Sequence, residues 1–299
     1  MDVTSLPLVS VVIPSYNHAR YLGRALQSLI DQTYDNWEAI IVDNNSTDDT
    51  ENVIAKFTDK RITLLKINNM GVIAASRNMG IRAAKGEWIA FLDSDDWWTP
   101  EKLFSCLHVA KNGVDLIYHD LDIVREPEVL SHNERTKSRR LKPPVFLDLL
   151  LNGNTIANSS VVVRKGLLDR IGGIDESRDM VGAEDYHAWL RIARITEKFA
   201  YLPVAYGSYL VHDKGVSNKD MTPVVKRAVI DFYHLLDDKQ ISNVEGNVRY
   251  AKGVYHYSKG FYSEAIDDFF FAFRHGTLIT IMKSAAMISF SGIRLQFRC

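Results

Sequence analysis

The sequence predicts an α/β fold: a mostly parallel, doubly wound sheet flanked by helices, followed by a helical C-terminal extension. Three observations predict it. Through residues 1–125, apolar runs rich in β-branched residues alternate with segments whose apolar residues recur at helical spacing. Most of these runs close on a polar or acidic cluster, where open parallel sheets place their ligands. From about Thr222 onward the strand-like runs disappear and helical spacing takes over.

Each element has its own warrant. Val9–Ile13 (VSVVI) is a continuous apolar run that suits a strand covered on both faces. Across His18–Gln32, the spacing of Leu22, Ala25, Leu26, Leu29 and Ile30 predicts an amphipathic helix. Glu38–Val42 is a second strand ending at Asp43. Ser46 with Asp49 three residues on reads as a helix start, with Val53, Ile54 and Phe57 as the apolar face. Ile62–Ile67 gives a third strand, Val72–Lys85 an alanine-rich helix opened by Gly71, and Trp88–Leu92 a fourth strand. Thr99 as N-cap with Pro100 in the first turn predicts the next helix, and Val114–Tyr118 a fifth strand.

Residues 126–145 carry Arg135, Lys137, Arg139, Arg140 and Lys142 and read as a flexible basic loop. A helix (Val145–Leu151), a strand (Ser160–Arg164), a helix over Glu184–Ile195 and a strand-like run near Leu202–Val211 follow. In the C-terminal region Gly253, Gly260, Ala265, Phe269 and Ala272 match the spacing of one tetratricopeptide-like hairpin. The last helix, Thr277–Ile293, is apolar nearly all round. It would complete a core, form a dimer contact or lie in a membrane interface.

Bulk composition excludes more than it identifies. The 299 residues are 46% hydrophobic and 24% charged, enough for a sizeable core, and the net charge of −1 gives nucleic-acid binding no support. Two distant cysteines, Cys106 and Cys299, form neither a disulfide framework nor a zinc site, so a reducing cytosolic setting is the expectation. The start has no basic segment of the signal-peptide kind, and no run reaches the length of a membrane span.

The chemistry concentrates in GEWIAFLDSDDWWTP, residues 86–100. An apolar strand runs straight into Asp93, Ser94, Asp95 and Asp96. Carboxylates at a strand end suit a hard divalent cation that also holds substrate phosphates. By themselves they would equally serve as a solvated turn. Trp97 and Trp98 would stack on a sugar or pack the core beneath the rim.

Order and spacing resolve this. PSYN after the first strand, VDNNSTDDT after the second, GVIAASRNMG and then the acidic turn resemble, in that order, the nucleotide-sugar-binding half of the inverting glycosyltransferases of family 2, which have the GT-A fold. The resemblance is close over residues 8–125 and looser to about 215. It implies a glycosyltransferase domain over 1–220, with a nucleotide-binding half (1–125) and an acceptor half (126–220), and a helical region over 221–299.

The roles it implies are specific. Pro14, Ser15 and Tyr16 would cradle the base and ribose, and Asp43 would accept the N3 hydrogen of uracil. Arg77 would lie against the nucleotide, with Asp93 and Ser94 approaching ribose and sugar. Asp95 and His212 would hold Mn²⁺ or Mg²⁺; the alternative for His212 is a simple surface histidine. Glu184-Asp185 resembles the family's Glu-Asp motif, with Asp185 as general base. An aspartate needs no unusual pKa for that role at neutral pH.

The implied partners are a UDP-sugar donor and a glycan or lipid-diphosphate-linked acceptor at the inner face of a bacterial membrane, with the C-terminal helix as a peripheral contact. Two other nucleotide-using classes are disfavoured, because PSYNHARYLG supplies neither a triphosphate-binding glycine-rich loop nor GxGxxG. An inactive scaffold on the same domain is the alternative, and the presence of Asp95 and Asp185 gives it no support.

Overall fold

A computed structural model describes residues 6–126, 129–136, 138–213 and 219–296. The chain forms two compact units, Met1–Lys142 with Thr155–Gly215, and Pro143–Asn154 with Val216–Cys299.

Among the described residues, the first unit is built on one sheet of nine strands: β1 (Val9–Ser15), β2 (Trp37–Asp43), β3 (Ile62–Lys66), β4 (Trp88–Phe91), β5 (Trp97–Trp98), β6 (Leu116–Arg125), β7 (Val129–Arg135), β8 (Val162–Arg164) and β9 (Phe199–Val211). Its helices are α1 (Ala19–Ile30), α2 (Thr50–Ala55), α3 (Ile73–Ala83) and α4 (Lys102–Ala110), then, after α5 (Val145–Asn152) of the second unit, α6 (Lys165–Arg170) and α7 (Glu184–Ala193). The strands lie in the order β3-β2-β1-β4-β8-β6-β9-β5, with β7 paired to β6.

Strand alternation sorts the core. Val9, Val11 and Ile13 of β1 cluster with Leu22, Leu26 and Leu29 of α1 and with Leu103 and Leu107 of α4. Each such leucine, buried completely, contributes about 2 kcal/mol. Val12 points to the opposite face, where α3 lies so close that a Cβ on Gly80 would meet Val12 Cγ1 at 2.5 Å. A glycine is required there for α3 to sit on β1.

The sheet departs from the sequence expectation in several places. It is mixed: β3, β2, β1 and β4 run parallel, as do β6 and β9, and the remaining pairs are antiparallel. β8 is inserted antiparallel between β4 and β6, so the fifth predicted strand does not lie beside the fourth. That strand also continues past Tyr118 to Arg125, because its far half pairs with β9 and β7. The segment read as a basic loop therefore contains a strand, β7, with Arg135 Nε donating to Asp122 at 2.9 Å.

Two helix starts move as well. α4 begins at Lys102 rather than Pro100, and Thr99 contributes only its carbonyl, to the Lys102 amide. Ser46 caps no helix. Its hydroxyl bonds Asp43 and α2 starts at Thr50.

The second unit is helical: α5, α8 (Thr222–Ile230), α9 (Asp238–Ser258), α10 (Tyr262–His275) and α11 (Leu278–Gln296). Asp237 and Gln240 form a capping box that opens α9. α9 and α10 meet where a Cβ on Gly253 would touch the Phe269 ring at 2.7 Å. Buried Asp268 takes Arg249 at 2.8 Å and His256 at 2.9 Å. α11 is reversed relative to an ordinary surface helix. Thr280, Ser284 and Ser291 are buried, whereas Leu278, Ile279, Met282, Phe290 and Ile293 are exposed.

Candidate active site

The parallel strands deliver the first group of residues. Ser15 and Asp43 are partners in register at the carboxyl ends of β1 and β2. Beyond them the chain turns through Asn17 and Asn45, both with positive φ (51° and 56°), a conformation asparagine tolerates better than most residues. The two loops are stitched together. The Asn17 amide donates to Ser46 Oγ, and Asn17 Oδ1 accepts from the Thr47 amide. Asp48 accepts the Ala19 amide at 2.9 Å and so closes the first turn of α1 from another loop.

Asp43 lines a cavity of about 320 Å³ with Asn45, Ser46, Asp48, Glu51, Lys66, Ile67 and Asn68. Its carboxylate accepts from the Ser46 hydroxyl and amide, at 2.5 and 3.2 Å. Each carboxylate oxygen keeps a further lone pair for a ligand. Ser15 is buried and Tyr16 is exposed.

The acidic turn after β4 uses its four residues differently. Asp93 accepts from Arg77 at 2.8 Å and from Asn158 Nδ2 at 3.1 Å. Ser94 is buried, with its hydroxyl 2.7 Å from His18 Nδ1. Asp95 lies 3.0 Å from His212 Nε2. Asp96 is buried and accepts from the Ser159 hydroxyl at 2.5 Å and the Leu210 amide at 3.0 Å, tying the turn to β9. Burial, followed by the charges of Asp95 and Asp93, raises the Asp96 pKa well above the usual carboxylate range. The tryptophans serve the scaffold. Trp98 is buried and donates to the Ser159 carbonyl, and Arg24 lies over Trp97.

The RNMG segment of α3 explains how the other acidic pair arrives. Asn78 holds the loop before α7, donating to the Ile174 carbonyl at 2.7 Å and accepting the Ile174 amide at 2.9 Å. Gly173, at φ 84°, passes where any Cβ would strike Asn78. Arg191 of α7 donates to the carbonyls of Gly173 and Ile171.

Arg77 is 3% exposed and its guanidinium bridges two motifs, Asp93 at 2.8 Å and Glu184 at 2.5 Å. The sequence expectation set Arg77 against a nucleotide. In the structure the same guanidinium also joins the acidic turn to α7. Glu184 also accepts the Gly182 amide, so it is an anchor for the helix start.

Beside it, Asp185 is half-buried and accepts the Tyr186 amide at 2.6 Å. Burial pushes its pKa up to about 7; the Glu184 charge adds to the rise and Arg77 opposes it. A carboxylate poised near neutrality has the proton affinity wanted of a general base.

Sequence reasoning did not single out His18. Its ring nitrogen, an Asp95 oxygen and a His212 nitrogen all lie within 4.8 Å of one another. One carboxylate flanked by imidazoles fits a divalent cation. The only signal in the chain is that His18 follows PSYN, and its distance in sequence from Asp95 hid the connection.

An acid-lined edge of a parallel sheet, joined through one buried arginine to a helix bearing a second acidic pair, defines a GT-A enzyme that uses a nucleotide sugar. The sequence profile of Glycosyl transferase family 2 matches residues 10–172, more than half of the chain, and the chain belongs to that family. It is a hexosyltransferase.

A relative from Escherichia coli, the UDP-Glc:alpha-D-GlcNAc-diphosphoundecaprenol beta-1,3-glucosyltransferase WfaP, is 31% identical over 223 residues, which cover 75% of this chain and 85% of its own. Among solved structures, S. aureus TarS 1–349 in complex with UDP-GlcNAc matches with a TM-score of 0.66 at 18% identity, covering 97% of this chain and 91% of that one. The mannosyltransferase PcManGT from Pyrobaculum calidifontis, in complex with GDP-Man and Mn²⁺, matches at 0.59 and 19% identity, covering 98% and 85%. These two likenesses support the fold.

Proposed function

We propose that this enzyme moves a hexose, with inversion, from a UDP-sugar to a hydroxyl of a sugar carried on a lipid diphosphate. One observation carries the proposal: the Arg77 guanidinium takes Asp93 on one nitrogen and Glu184 on another, which ties the acidic turn and the acidic helix to one centre. The WfaP relative, whose name gives UDP-Glc as donor and a diphosphoundecaprenol-linked sugar as acceptor, supports the choice of substrates.

In this reading the base and ribose sit against Pro14, Ser15 and Tyr16, with Asp43 accepting the uracil N3 hydrogen at its cavity. Asp95 and His212 hold Mn²⁺ or Mg²⁺, which, when bound, offsets the charge of the departing diphosphate. Asp185 takes the proton of the acceptor hydroxyl. The freed oxygen attacks the anomeric carbon as the bond to the diphosphate oxygen breaks on the opposite face, and the nucleoside diphosphate leaves. Arg77 and Glu184 fix where Asp185 stands, and Asp93 and Ser94 shape the floor beside ribose and sugar.

The second unit supports work at a membrane surface, on the cytoplasmic side. α11 presents Leu278, Ile279, Met282, Phe290 and Ile293 outward, carries Lys283 and Arg294, and contains no acidic residue. An exposed apolar stripe with cations and no acids suits an anionic lipid interface. No helix among the described residues is long and apolar enough to cross a membrane.

The test is a donor screen by UDP release, with a GlcNAc-diphospholipid acceptor and Mn²⁺, in detergent and on anionic vesicles. Acceptor-dependent release with one UDP-hexose is expected. UDP binding without turnover across the panel would favour the inactive scaffold instead.

A further inference from the structure

The side-chain cluster at the acidic turn holds one more cation donor than the sequence suggests. The two imidazoles approach Asp95 from different elements: His18 from the residue before α1, and His212 from the end of β9. Three features indicate that His18 is placed for a ligand rather than left over.

First, although His18 is the N-cap residue of α1, its side chain makes no cap hydrogen bond. Asp48 accepts the Ala19 amide from the neighbouring loop, so the His18 side chain is not needed at that helix end. Second, Ser94, itself only 3% exposed, sits 2.7 Å from His18 Nδ1. A hydroxyl accepting the Nδ1 hydrogen fixes the tautomer whose Nε2 lone pair is open to a metal, the arrangement that orients most metal-bound histidines. Third, the Tyr21 ring packs against both imidazoles, with centroids 5.7 Å from His18 and 5.3 Å from His212. Tyr21 is in turn held by Glu126 at 3.0 Å.

We propose that His18 is a third protein ligand of the cation, oriented by Ser94, so that the donor set is two imidazole nitrogens and one carboxylate oxygen. The inference rests on the cation reading given above and extends it to selectivity. Mg²⁺ favours oxygen donors and keeps its water, whereas imidazole suits transition-metal ions. The site therefore takes Mn²⁺, and Co²⁺ more tightly, in strong preference to Mg²⁺. Positions that these three donors leave open would be available to the diphosphate oxygens of the donor. Ser94 is a positioning residue here and touches no reacting atom.

The experiment is pulsed EPR of Mn²⁺ bound to the full chain with UDP, which counts directly coordinated imidazole nitrogens, together with Mn²⁺ and Mg²⁺ affinities by titration. Two imidazole couplings are expected for the wild type. In His18→Asn one coupling is lost, Mn²⁺ affinity falls by about 10–100-fold and Mg²⁺ affinity moves far less; Ser94→Ala weakens Mn²⁺ binding by about 10-fold. A single imidazole coupling in the wild-type protein would overturn the assignment of His18 and leave Asp95 and His212 as ligands. No bound Mn²⁺ at all would overturn the cation reading itself. The wild-type spectrum decides between these even where a variant fails to fold.

Discussion

The two acidic pairs of the site, Asp95-Asp96 after β4 and Glu184-Asp185 at the start of α7, look alike in sequence and are managed in opposite ways. In each, one acid is a buried anchor and its neighbour is partly exposed. The anchor Asp96 has two neutral donors, Ser159 and the Leu210 amide, and no cation, so burial shifts it toward its protonated form. The anchor Glu184 has the Arg77 guanidinium at 2.5 Å, and beside it burial, then the Glu184 charge, raises Asp185. The first arrangement sets Asp95 beside two imidazoles. The second leaves a proton acceptor near neutrality.

The largest expected effect tests the working member of the second pair. Asp185→Asn lowers kcat by about 10²- to 10⁴-fold, the range of a lost general base, with UDP-sugar affinity by calorimetry within about 3-fold of wild type. Unchanged turnover would remove Asp185 from the reaction. Next comes the bridging arginine. Arg77→Met leaves Glu184 buried without its cation and destabilises the fold by about 3–5 kcal/mol in urea titrations. A loss below about 1 kcal/mol would mean that solvent reaches that ion pair.

A third change separates charge from position. Glu184→Gln removes the negative neighbour that raises Asp185, so the Asp185 pKa falls. Because the base works only when ionised, the acidic limb of kcat/KM against pH moves to lower pH. Movement to higher pH would contradict the contrast. The smallest effect is expected at the other anchor. Asp96→Asn keeps an acceptor for the Leu210 amide and a partner for Ser159, and should cost about 1 kcal/mol or less in thermal unfolding. A loss as large as that of Arg77→Met would show that Asp96 is held as an anion after all.

Much of this was legible in the chain. The strands of the parallel half, the helices between them and the positions of both acidic motifs follow from local periodicity and from polar residues gathered at strand ends. What stayed hidden depends on pairing. β8 is legible as a strand over Ser160–Arg164, but its place beside β4 is set by the return of the chain and not by any local pattern. β7 is polar enough to pass for a loop, since its partner β6 supplies the order. Nothing local to Arg77 marks it as buried; only the arrival of Asp93 and Glu184 from other segments makes it so. His18 fails in the same way, its partners Ser94, Asp95 and His212 being remote in sequence.

Asp48 gives the arrangement an unexpected reach. A carboxylate on the loop after β2 closes the helix from whose threshold His18 projects, so the segment that borders the Asp43 cavity also sets the aim of an imidazole at the acidic turn. An alteration at Asp48, outside the His18, Asp95 and His212 cluster, would therefore register as a disturbance of ion selectivity, and a survey confined to coordinating side chains would overlook its source.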